Sequence, residues 1–292
     1  MENVELIKDY LAQSGISANA LSKGAGISAA AVSQYLSGKY QGDKLAVENA
    51  LMSFIEAQKD KIQCTAGVVD TDSLRRISAV AQICRANGKL AVVCGRAGSG
   101  KTTACKNYAE TNSGTVYLYA DVSCSAQELF ADLVSALKIK PVYQLRQNYK
   151  TARNILSGSR RLIIIDEANH LPYKALEMIR AIYDTTGCGV LLVGTEQLYY
   201  NLRGHRGEYE QLYSRVALYQ KTVPLTLEEV EGYLSATAPK AKPLANIFHK
   251  NSAGNIRILA NLVWESIRLA EINKCEISRD TVRAAIEDIR AA

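Results

Sequence analysis

The sequence has no closely spaced pair of cysteines. Its seven cysteines stand singly along 292 residues, and none forms a Cys-x-x-Cys pair or a Cys/His cluster with the spacing of a zinc site. An odd, dispersed set is also a poor basis for the disulfide framework of a small secreted protein. The cysteine pattern therefore argues against a zinc module and predicts a protein of a reducing compartment.

Long apolar runs and a targeting signal are missing as well. The longest apolar runs, such as LIII at residues 162–165, are far too short to span a bilayer. The first residues, MENVELIKDYLAQSG, are polar and acidic, whereas a secretory signal is basic and then apolar. We therefore expect a soluble cytoplasmic protein.

A strong net charge is lacking in the first part of the chain. The whole chain has 35 basic and 29 acidic residues and a net charge of +6, but residues 1–62 contain six lysines and seven acidic residues. The excess, about +7, lies in residues 63–292. A mildly basic chain permits nucleic acid as a partner without requiring it. If DNA is bound, we expect most of the attraction for phosphates to come from the larger C-terminal part.

Three regions of the chain differ in their pattern, and no internal repeat is found. Residues 1–63 predict helices separated by short turns that contain Gly or Ser. In residues 64–223 strand-like apolar runs alternate with amphipathic helices, which predicts an α/β core with a parallel sheet covered on both faces. These runs are residues 90–95, 115–120, 161–166, 190–195 and 216–223. Residues 224–292 predict a small all-α domain.

The stretch GRAGSGKTT after the first run has the pattern G-x-x-x-x-G-K-[ST], with a strand before it and a helix after it. In this pattern backbone N–H groups surround phosphates, Lys101 reaches the β- and γ-phosphates, and Thr102 offers a hydroxyl to Mg²⁺. A chance glycine-rich turn is the alternative, and the flanking elements disfavour it. The sequence predicts ATP and Mg²⁺ as ligands, with ATP contacts from Gly95, Arg96, Ala97, Gly98, Ser99, Gly100, Lys101, Thr102 and Thr103.

The stretch RLIIIDEANH predicts the second half of this site. Asp166 ends a buried strand, where it is placed to hold Mg²⁺ together with Thr102. Glu167 follows directly, and a carboxylate beside the metal can polarise a water for in-line attack on the γ-phosphate. The alternative is an Asp-Glu pair that only complements a helix dipole. The pairing favours hydrolysis over transfer to a small-molecule acceptor, so we predict an ATPase rather than a kinase.

Three further residues are candidates for the catalytic site. Thr195 ends the fourth strand-like run, where its hydroxyl could touch the γ-phosphate or the attacking water, although a Thr there is often only a turn residue. Arg215 lies between a helix and the last run, and Arg257, in GNIR, opens a C-terminal helix. Arginine stabilises charge on a transferring phosphoryl group, in cis or from a neighbouring subunit. An isolated arginine is more often a solvated surface residue.

Taken together, the strand-end Thr, GNIR and the all-helical tail after a P-loop core resemble the AAA+ ATPases. This resemblance implies an AAA+ core with a small helical lid. It also implies the sensor 1 role for Thr195, the sensor 2 role for Arg257 and the trans-acting arginine finger for Arg215, with Arg203 and Arg206 as alternatives for the finger. A narrower family, to which the N-terminal region of the chain also points, often has Asn at the sensor 1 position, where this chain has Thr195.

A narrower resemblance rests on ALSKGAGISAAAVSQYLSGKYQGD, VVCGRAGSGKTTA, LIIIDEANHL and LYSRVA, in this order and spacing. They are similar to the Mu transposition protein B family over nearly the whole chain. The resemblance implies an ATP-dependent DNA-binding ATPase with little sequence preference, which forms helical filaments on duplex DNA in the cytoplasm of a bacterial host. It also implies a transposase as the partner that receives this DNA as target.

The segment ALSKGAGISAAAVSQYLSGKY has the layout of a helix-turn-helix, with a turn at residues 24–26 and a second helix that begins after Ser28. An αα-hairpin that contacts protein is the alternative. Residues expected to face DNA are Ser28, Ser33, Gln34, Lys39 and Tyr40. In the core, the basic residues that could line a DNA-facing surface are Arg146, Lys150, Arg153, Arg160 and Arg161. A solvated helix face explains these core residues equally well.

A second class of function remains open at this stage. A helix-turn-helix joined to a nucleotide switch is also the layout of an ATP-gated transcription regulator. Footprinting separates the two hypotheses, because a regulator protects a discrete palindrome and a filament former does not.

Overall fold

The computed structural model describes residues 2–14, 17–64, 68–203 and 210–291. The chain divides into two compact units, Met1–Gly67 and Val68–Ala292. The first unit contains the helices α1 (Glu2–Ser14), α2 (Ala18–Gly24), α3 (Ala29–Leu36) and α4 (Lys44–Cys64).

The four helices of the first unit enclose a small apolar core. Its fully buried side chains include Ile7, Leu21, Val32 and Leu51, so each helix contributes to it. Ser17 and Ser28 begin α2 and α3, and their hydroxyls accept hydrogen bonds from backbone N–H groups of the first turn. Helix, turn and helix therefore follow one another where the helix-turn-helix was expected. Its role in DNA binding remains a prediction.

The second unit begins with a five-stranded α/β layer. Its elements are α5 (Asp72–Asn87), β1 (Leu90–Cys94), α6 (Lys101–Thr111), β2 (Thr115–Tyr119), α7 (Ala126–Ala136), α8 (Leu145–Leu156), β3 (Leu162–Asp166), α9 (Tyr173–Thr186), β4 (Gly189–Gly194), α10 (Glu196–Arg203), α11 (Glu210–Tyr213) and β5 (Val216–Lys221). The helices α12 (Leu227–Thr237), α13 (Ala245–Ser252), α14 (Ile256–Ile272) and α15 (Arg279–Ala291) follow.

The strands form one sheet in the order β2-β3-β4-β1-β5, and every neighbouring pair is parallel. The three inner strands are buried along their whole length, which is why they are continuous apolar runs in the sequence. Alternate side chains enter two cores. One face packs against α7, α8 and α9, for example through Phe130 and Leu156, and the other packs against α5 and α6, for example through Ile77 and Cys105. The expected α/β fold with helices on both faces is confirmed.

The order of the strands decides which residues meet. The carboxyl ends of parallel strands lie at the same edge of a sheet, where ligands of such folds bind. Because β4 lies between β1 and β3, the segments that follow these three strands are neighbours along this edge. They are the glycine-rich loop after β1, Asp166–Glu167 at the end of β3, and Thr195 after β4.

Among the residues described after β5 the elements are helices, as the sequence predicts, and they belong to the same compact unit as the sheet. Thr226 and Glu229 form a capping box at the start of α12. Ser278 and Thr281 bond reciprocally at the start of α15, so the Ser278 hydroxyl caps this helix. Within the described ranges, no helix combines the length and hydropathy needed to cross a membrane.

Candidate nucleotide site

The loop between β1 and α6 requires its glycines. Gly98 and Gly100 have φ angles of 75° and 83°, in the left-handed region that L side chains rarely adopt. A Cβ at Gly95 would overlap the hydroxyl of Thr222, and one at Gly98 would overlap the carboxamide of Asn255. The glycines thus allow both the loop conformation and its close packing against neighbouring segments.

Lys101 lies folded into this loop. Its side chain is buried, and its Nζ donates hydrogen bonds of 3.0 Å to the carbonyl oxygens of Gly95 and Arg96. Burial lowers the pKa of the Lys101 ammonium, and the nearby carboxylates of Glu167 and Asp166 act in the opposite direction. The ammonium is therefore held on the concave side of the loop, close to both carboxylates.

Two features of the loop fit an anionic ligand. The Ser99 hydroxyl is buried and has no hydrogen-bond partner among the described residues. Helix α6 begins at Lys101 after the N-cap Gly100, and no side chain caps it. The first N–H groups of a helix have no partner within the helix, so here they are open to phosphate oxygens.

Asp166 is a fully buried carboxylate at the end of β3. Its Oδ1 accepts a hydrogen bond of 2.9 Å from the Glu167 N–H, and its Oδ2 accepts one of 3.0 Å from the Tyr117 hydroxyl. Burial, together with the Asp166 charge, raises the pKa of Tyr117, so the phenol remains a donor. Tyr117 was not among the residues predicted from the sequence. The one feature that could have indicated a contact with Asp166 is its position in β2, two residues before Tyr119, which pairs with Asp166.

Glu167 occupies an unusual backbone conformation. Its φ of 52° lies in the left-handed region, and it begins the 3-10 turn Ala168–His170. Non-glycine residues rarely adopt this region, and such conformations concentrate at functional sites. The half-buried Glu167 therefore marks the point where the chain turns off the end of β3, beside Asp166.

Thr195 is bonded to the segment that follows β3. Its backbone N–H donates a hydrogen bond of 3.0 Å to Oδ1 of Asn169, in the 3-10 turn. The N–H of Gly95 donates one of 3.1 Å to the carbonyl of Gly194, the residue before Thr195. These bonds place Thr195 beside the glycine-rich loop and beside the 3-10 turn that follows Asp166–Glu167.

The start of α14 contacts the glycine-rich loop directly. The Ile256 N–H donates a hydrogen bond of 3.0 Å to the Gly98 carbonyl, and the Asn255 Nδ2 donates one of 2.9 Å to the Ala97 carbonyl. Arg257 is exposed in the first turn of this helix, which places it beside the loop. Arg257 was predicted from the sequence and Asn255 was not, although its position at the start of the helix in GNIR is a signal for a capping residue.

Arg215 lies at the amino ends of the strands, whereas the glycine-rich loop lies at their carboxyl ends. It precedes β5, and the register pairs Leu90 with Val216 and Cys94 with Lys221. At about 3.3 Å per residue, the length of the strand separates Arg215 from its own loop by roughly 16 Å. Its Nε lies 3.3 Å from Oδ1 of Asp184.

The other two arginines considered for the finger role have different positions. Arg203 ends α10, with its guanidinium 5.9 Å from the centre of the Tyr199 ring. Arg206 lies outside the described residues.

The residues proposed to face DNA fall into three groups. In the first unit Ser33, Gln34 and Lys39 are exposed, Tyr40 packs partly against the core, and the Ser28 hydroxyl caps α3. Arg146, Lys150 and Arg153 are exposed on α8, four and three residues apart, and therefore share one face. Arg160 and Arg161 lie instead at the amino end of β3.

Known proteins resemble the chain over much of its length. The family model of an AAA domain matches residues 84–202. The chain is 32% identical over 228 residues to the DNA transposition protein B of the Mu-like prophage FluMu of Haemophilus influenzae, covering 74% of this chain and 78% of the relative. It is 30% identical over 202 residues to the ATP-dependent target DNA activator B of Escherichia phage Mu, covering 66% of this chain and 64% of the relative.

Solved structures agree on the fold. The ORC2 protein of Aeropyrum pernix, solved in ADPNP–ADP complexes, superposes with a TM-score of 0.59 at 17% identity, covering 78% of this chain and 72% of that one. At this identity the likeness establishes the fold alone. With the AAA domain match, it confirms the AAA+ ATPase class that the sequence predicts. Since a relative that is 32% identical is covered over 78% of its length, the chain belongs to the family of the Mu-like DNA transposition protein B.

Proposed function

We propose that the chain binds ATP with Mg²⁺ at the glycine-rich loop, hydrolyses it, and binds duplex DNA with little sequence preference as the target of a transposase. The observation that carries the proposal is the loop itself, with an unpartnered buried hydroxyl, an uncapped helix start and a buried lysine beside two carboxylates. The relatives named a DNA transposition protein and an ATP-dependent target DNA activator support the cellular role.

Each group of the site has a task in hydrolysis. The N–H groups at the start of α6, the Ser99 hydroxyl and Lys101 bind the phosphate oxygens, for which Lys101 exchanges its two carbonyl partners. Glu167 orients a water for in-line attack on the γ-phosphate. Arg257, at the start of α14, contributes positive charge from the helical C-terminal region.

The donors around Asp166 fit a magnesium ion. The Asp166 carboxylate and the Thr102 hydroxyl are oxygen ligands of the kind that Mg²⁺ takes together with waters and phosphate oxygens. When bound, the ion neutralises charge on the phosphates. Tyr117 and the Glu167 N–H each hold one oxygen of Asp166 and so fix its orientation.

We assign the trans-acting arginine to Arg215. Its distance from its own loop excludes a role in its own site, and its place at the far edge of the sheet leaves it accessible to a second copy. Asp184 holds its guanidinium, and the same carboxylate pairs with Arg180. Hydrolysis then depends on a neighbour, which couples the nucleotide to an oligomer or a filament on DNA.

The DNA-binding surface of the core is proposed on α8 and the loop before it. Residues 133–165 contain seven lysines and arginines and no Asp or Glu. Within the described ranges, no ion pair involves Arg146, Lys150 or Arg153. Unpaired basic side chains on one face can neutralise phosphates, which gives binding with little sequence preference.

The loop before α8 is held rigidly beside this face. The buried Asn148 side chain bonds to both the N–H and the carbonyl of Val142, at 3.0 and 2.8 Å. Gln127 donates a hydrogen bond of 2.8 Å to the carbonyl of Tyr143, whose ring is 88% exposed. The loop thus presents an aromatic ring among lysines and arginines, a combination suited to nucleic acid.

The test is the rate of phosphate release with and without linear duplex DNA of mixed sequence, with electron microscopy of the same samples. We expect DNA to stimulate the wild type and long complexes to form only with ATP, and Lys101→Ala to abolish both. A protein that stays monomeric and whose turnover is insensitive to DNA contradicts the proposal.

A matched pair of triple variants tests the surface. Replacing Arg146, Lys150 and Arg153 by Gln should reduce the slope of log affinity against log salt by about 3, because each phosphate contact contributes close to 0.9. The control replaces three other exposed basic residues by Gln: Lys274, Arg279 and Arg283. An equal effect of both triples would show that only net charge matters.

A further inference from the structure

Asn169 occupies a position at the site that the sequence analysis did not select. It lies in the 3-10 turn directly after Asp166–Glu167 and is half-buried. Its Oδ1 accepts a hydrogen bond of 3.0 Å from the Thr195 N–H, and its backbone carbonyl accepts one of 3.2 Å from the Asn201 Nδ2. Both the turn and the side chain are therefore fixed to the segment that follows β4.

The bond to Thr195 determines which way the carboxamide faces. A backbone N–H can only donate, so the atom that faces it must be the carbonyl oxygen of Asn169 and not the amide nitrogen. The amide nitrogen Nδ2 is then the other polar atom of the planar carboxamide. Among the described residues, no hydrogen bond involves this nitrogen, so its two N–H donors are available to a ligand.

The strand order determines where the Asn169 carboxamide lies. β4 lies between β3, which ends at Asp166, and β1, which leads into the glycine-rich loop. The Gly95 N–H bonds to the Gly194 carbonyl, and the Thr195 N–H bonds to Asn169. These hydrogen bonds connect the loop through Gly194 and Thr195 to Asn169, whose carboxamide therefore lies at the carboxyl end of β4, next to the strand that leads into the loop.

Gly194 makes this approach possible. A Cβ built at this residue would overlap Oδ1 of Asn169. Any residue larger than glycine at the end of β4 would displace the carboxamide from the Thr195 N–H. The close approach of the backbone to Asn169 therefore depends on two positions, 169 and 194.

We infer that the Asn169 amide donates a hydrogen bond to an oxygen of the γ-phosphate of ATP, and that Thr195 positions it through its backbone N–H. The inference rests on the nucleotide site proposed above. An N–H donor aimed at the transferring phosphoryl group stabilises the charge that develops there. ADP has no γ-phosphate, so Asn169 contributes to the discrimination between ATP and ADP, whereas the loop binds both.

The variant Asn169→Asp separates this role from a structural one. Aspartate keeps the oxygen that accepts from Thr195 but replaces the amide donor by a negatively charged oxygen. We expect it to fold, to bind ADP within about twofold of wild type, and to lose about 10- to 100-fold in preference for ATP over ADP, the range typical of a hydrogen bond to a charged group. Turnover should fall by a similar factor. Asn87→Asp, an exposed residue whose amide bonds within α5, is the matched control.

The pH dependence supplies a second readout. A protonated aspartic acid again has an O–H donor, so turnover of Asn169→Asp relative to wild type should rise as pH falls from about 8 to about 5, towards the pKa of a carboxyl group. Relief of charge repulsion in the loop would also raise ADP affinity at low pH, whereas a regained donor to the γ-phosphate raises turnover with ADP affinity unchanged. Gly194→Ala, which keeps the asparagine at position 169 but displaces its carboxamide, should also lower turnover and the preference for ATP.

Three outcomes would overturn the inference. One is an Asn169→Asp variant with wild-type turnover and nucleotide preference. Another is a variant that loses ATP and ADP affinity equally, as a destabilised loop would. The third is Lys101→Ala binding ADP as tightly as wild type, which would show that the nucleotide site itself is wrongly assigned and would remove the basis of the inference.

Discussion

The contact between Asn255 and the glycine-rich loop yields a quantitative prediction about stability. The side chain of Asn255 makes three hydrogen bonds, which serve two functions. Its Oδ1 accepts from the N–H groups of Arg257 and Ile258, at 3.0 and 3.2 Å, and so caps α14. Its Nδ2 donates a hydrogen bond of 2.9 Å to the Ala97 carbonyl, which joins the start of α14 to the loop. Substitutions can remove the two functions separately.

Asn255→Ala removes both functions, whereas Asn255→Ser keeps a good cap and loses the bond to the loop. Loss of a cap costs about 1 kcal/mol, and a net hydrogen bond contributes about 1 kcal/mol. We therefore expect Asn255→Ala to lower the free energy of unfolding by about 2 kcal/mol and Asn255→Ser by about 1 kcal/mol. Asn273→Ala is the control, because this exposed residue bonds only within the last turn of the same helix. It should change stability by less than about 0.5 kcal/mol.

The chain provides its own probe for this measurement. It contains one tryptophan, Trp264, which lies in α14, the helix that Asn255 caps. Urea unfolding followed by tryptophan fluorescence gives the midpoint and the m value, and a shift of midpoint at constant m reports a change in stability. If Asn255→Ser unfolds at the wild-type midpoint while Asn255→Ala does not, the bond to Ala97 contributes nothing and the proposed fastening of α14 to the loop is wrong.

Three other substitutions test the remaining groups of the site. Glu167→Gln should lower turnover by about 10²- to 10⁴-fold while ATP still binds, because only the group that orients the water is lost; stable DNA complexes should accumulate in gel-shift assays. Arg215→Ala should lower turnover by about 10³-fold with nucleotide affinity unchanged, and mixing it with Lys101→Ala subunits should restore activity if the arginine acts in trans. Tyr117→Phe removes a donor from buried Asp166 and should cost about 1–3 kcal/mol in urea unfolding, whereas Tyr119→Phe, at an exposed ring, should cost little.

The strands could be predicted from the sequence because each is a local pattern. The run predicted at residues 190–195 is the strand Gly189–Gly194, and that at 115–120 is Thr115–Tyr119. Buried parallel strands need no polar face, so their residues form short apolar runs that end at glycines and carboxylates. For the same reason the loop that follows one such run and Asp166 that ends another could be predicted to form the two halves of one site.

The other contacts of the site could not be predicted because they join distant parts of the chain. Asn255 and Ala97 are 158 residues apart, and Asn169 and Thr195 are 26 apart. An asparagine in a turn or at a helix start has ordinary local explanations, namely capping and turn formation. Only the folded chain shows that the Asn255 carboxamide reaches the glycine-rich loop and that the Asn169 carboxamide reaches the end of β4.

The positions of Arg215 and the glycine-rich loop also restrict how copies of the chain can associate. If Arg215 completes the site of a neighbour, the contact joins the amino edge of one sheet to the carboxyl edge of another, so the two surfaces are different. A head-to-tail contact of this kind cannot close as a two-fold dimer; it must form a ring or continue as a helix. Nucleotide bound between the surfaces then stabilises the contact by the same free energy with which the contact stabilises bound nucleotide. The site at the sheet edge and the assembly are therefore one equilibrium, and hydrolysis changes both at once.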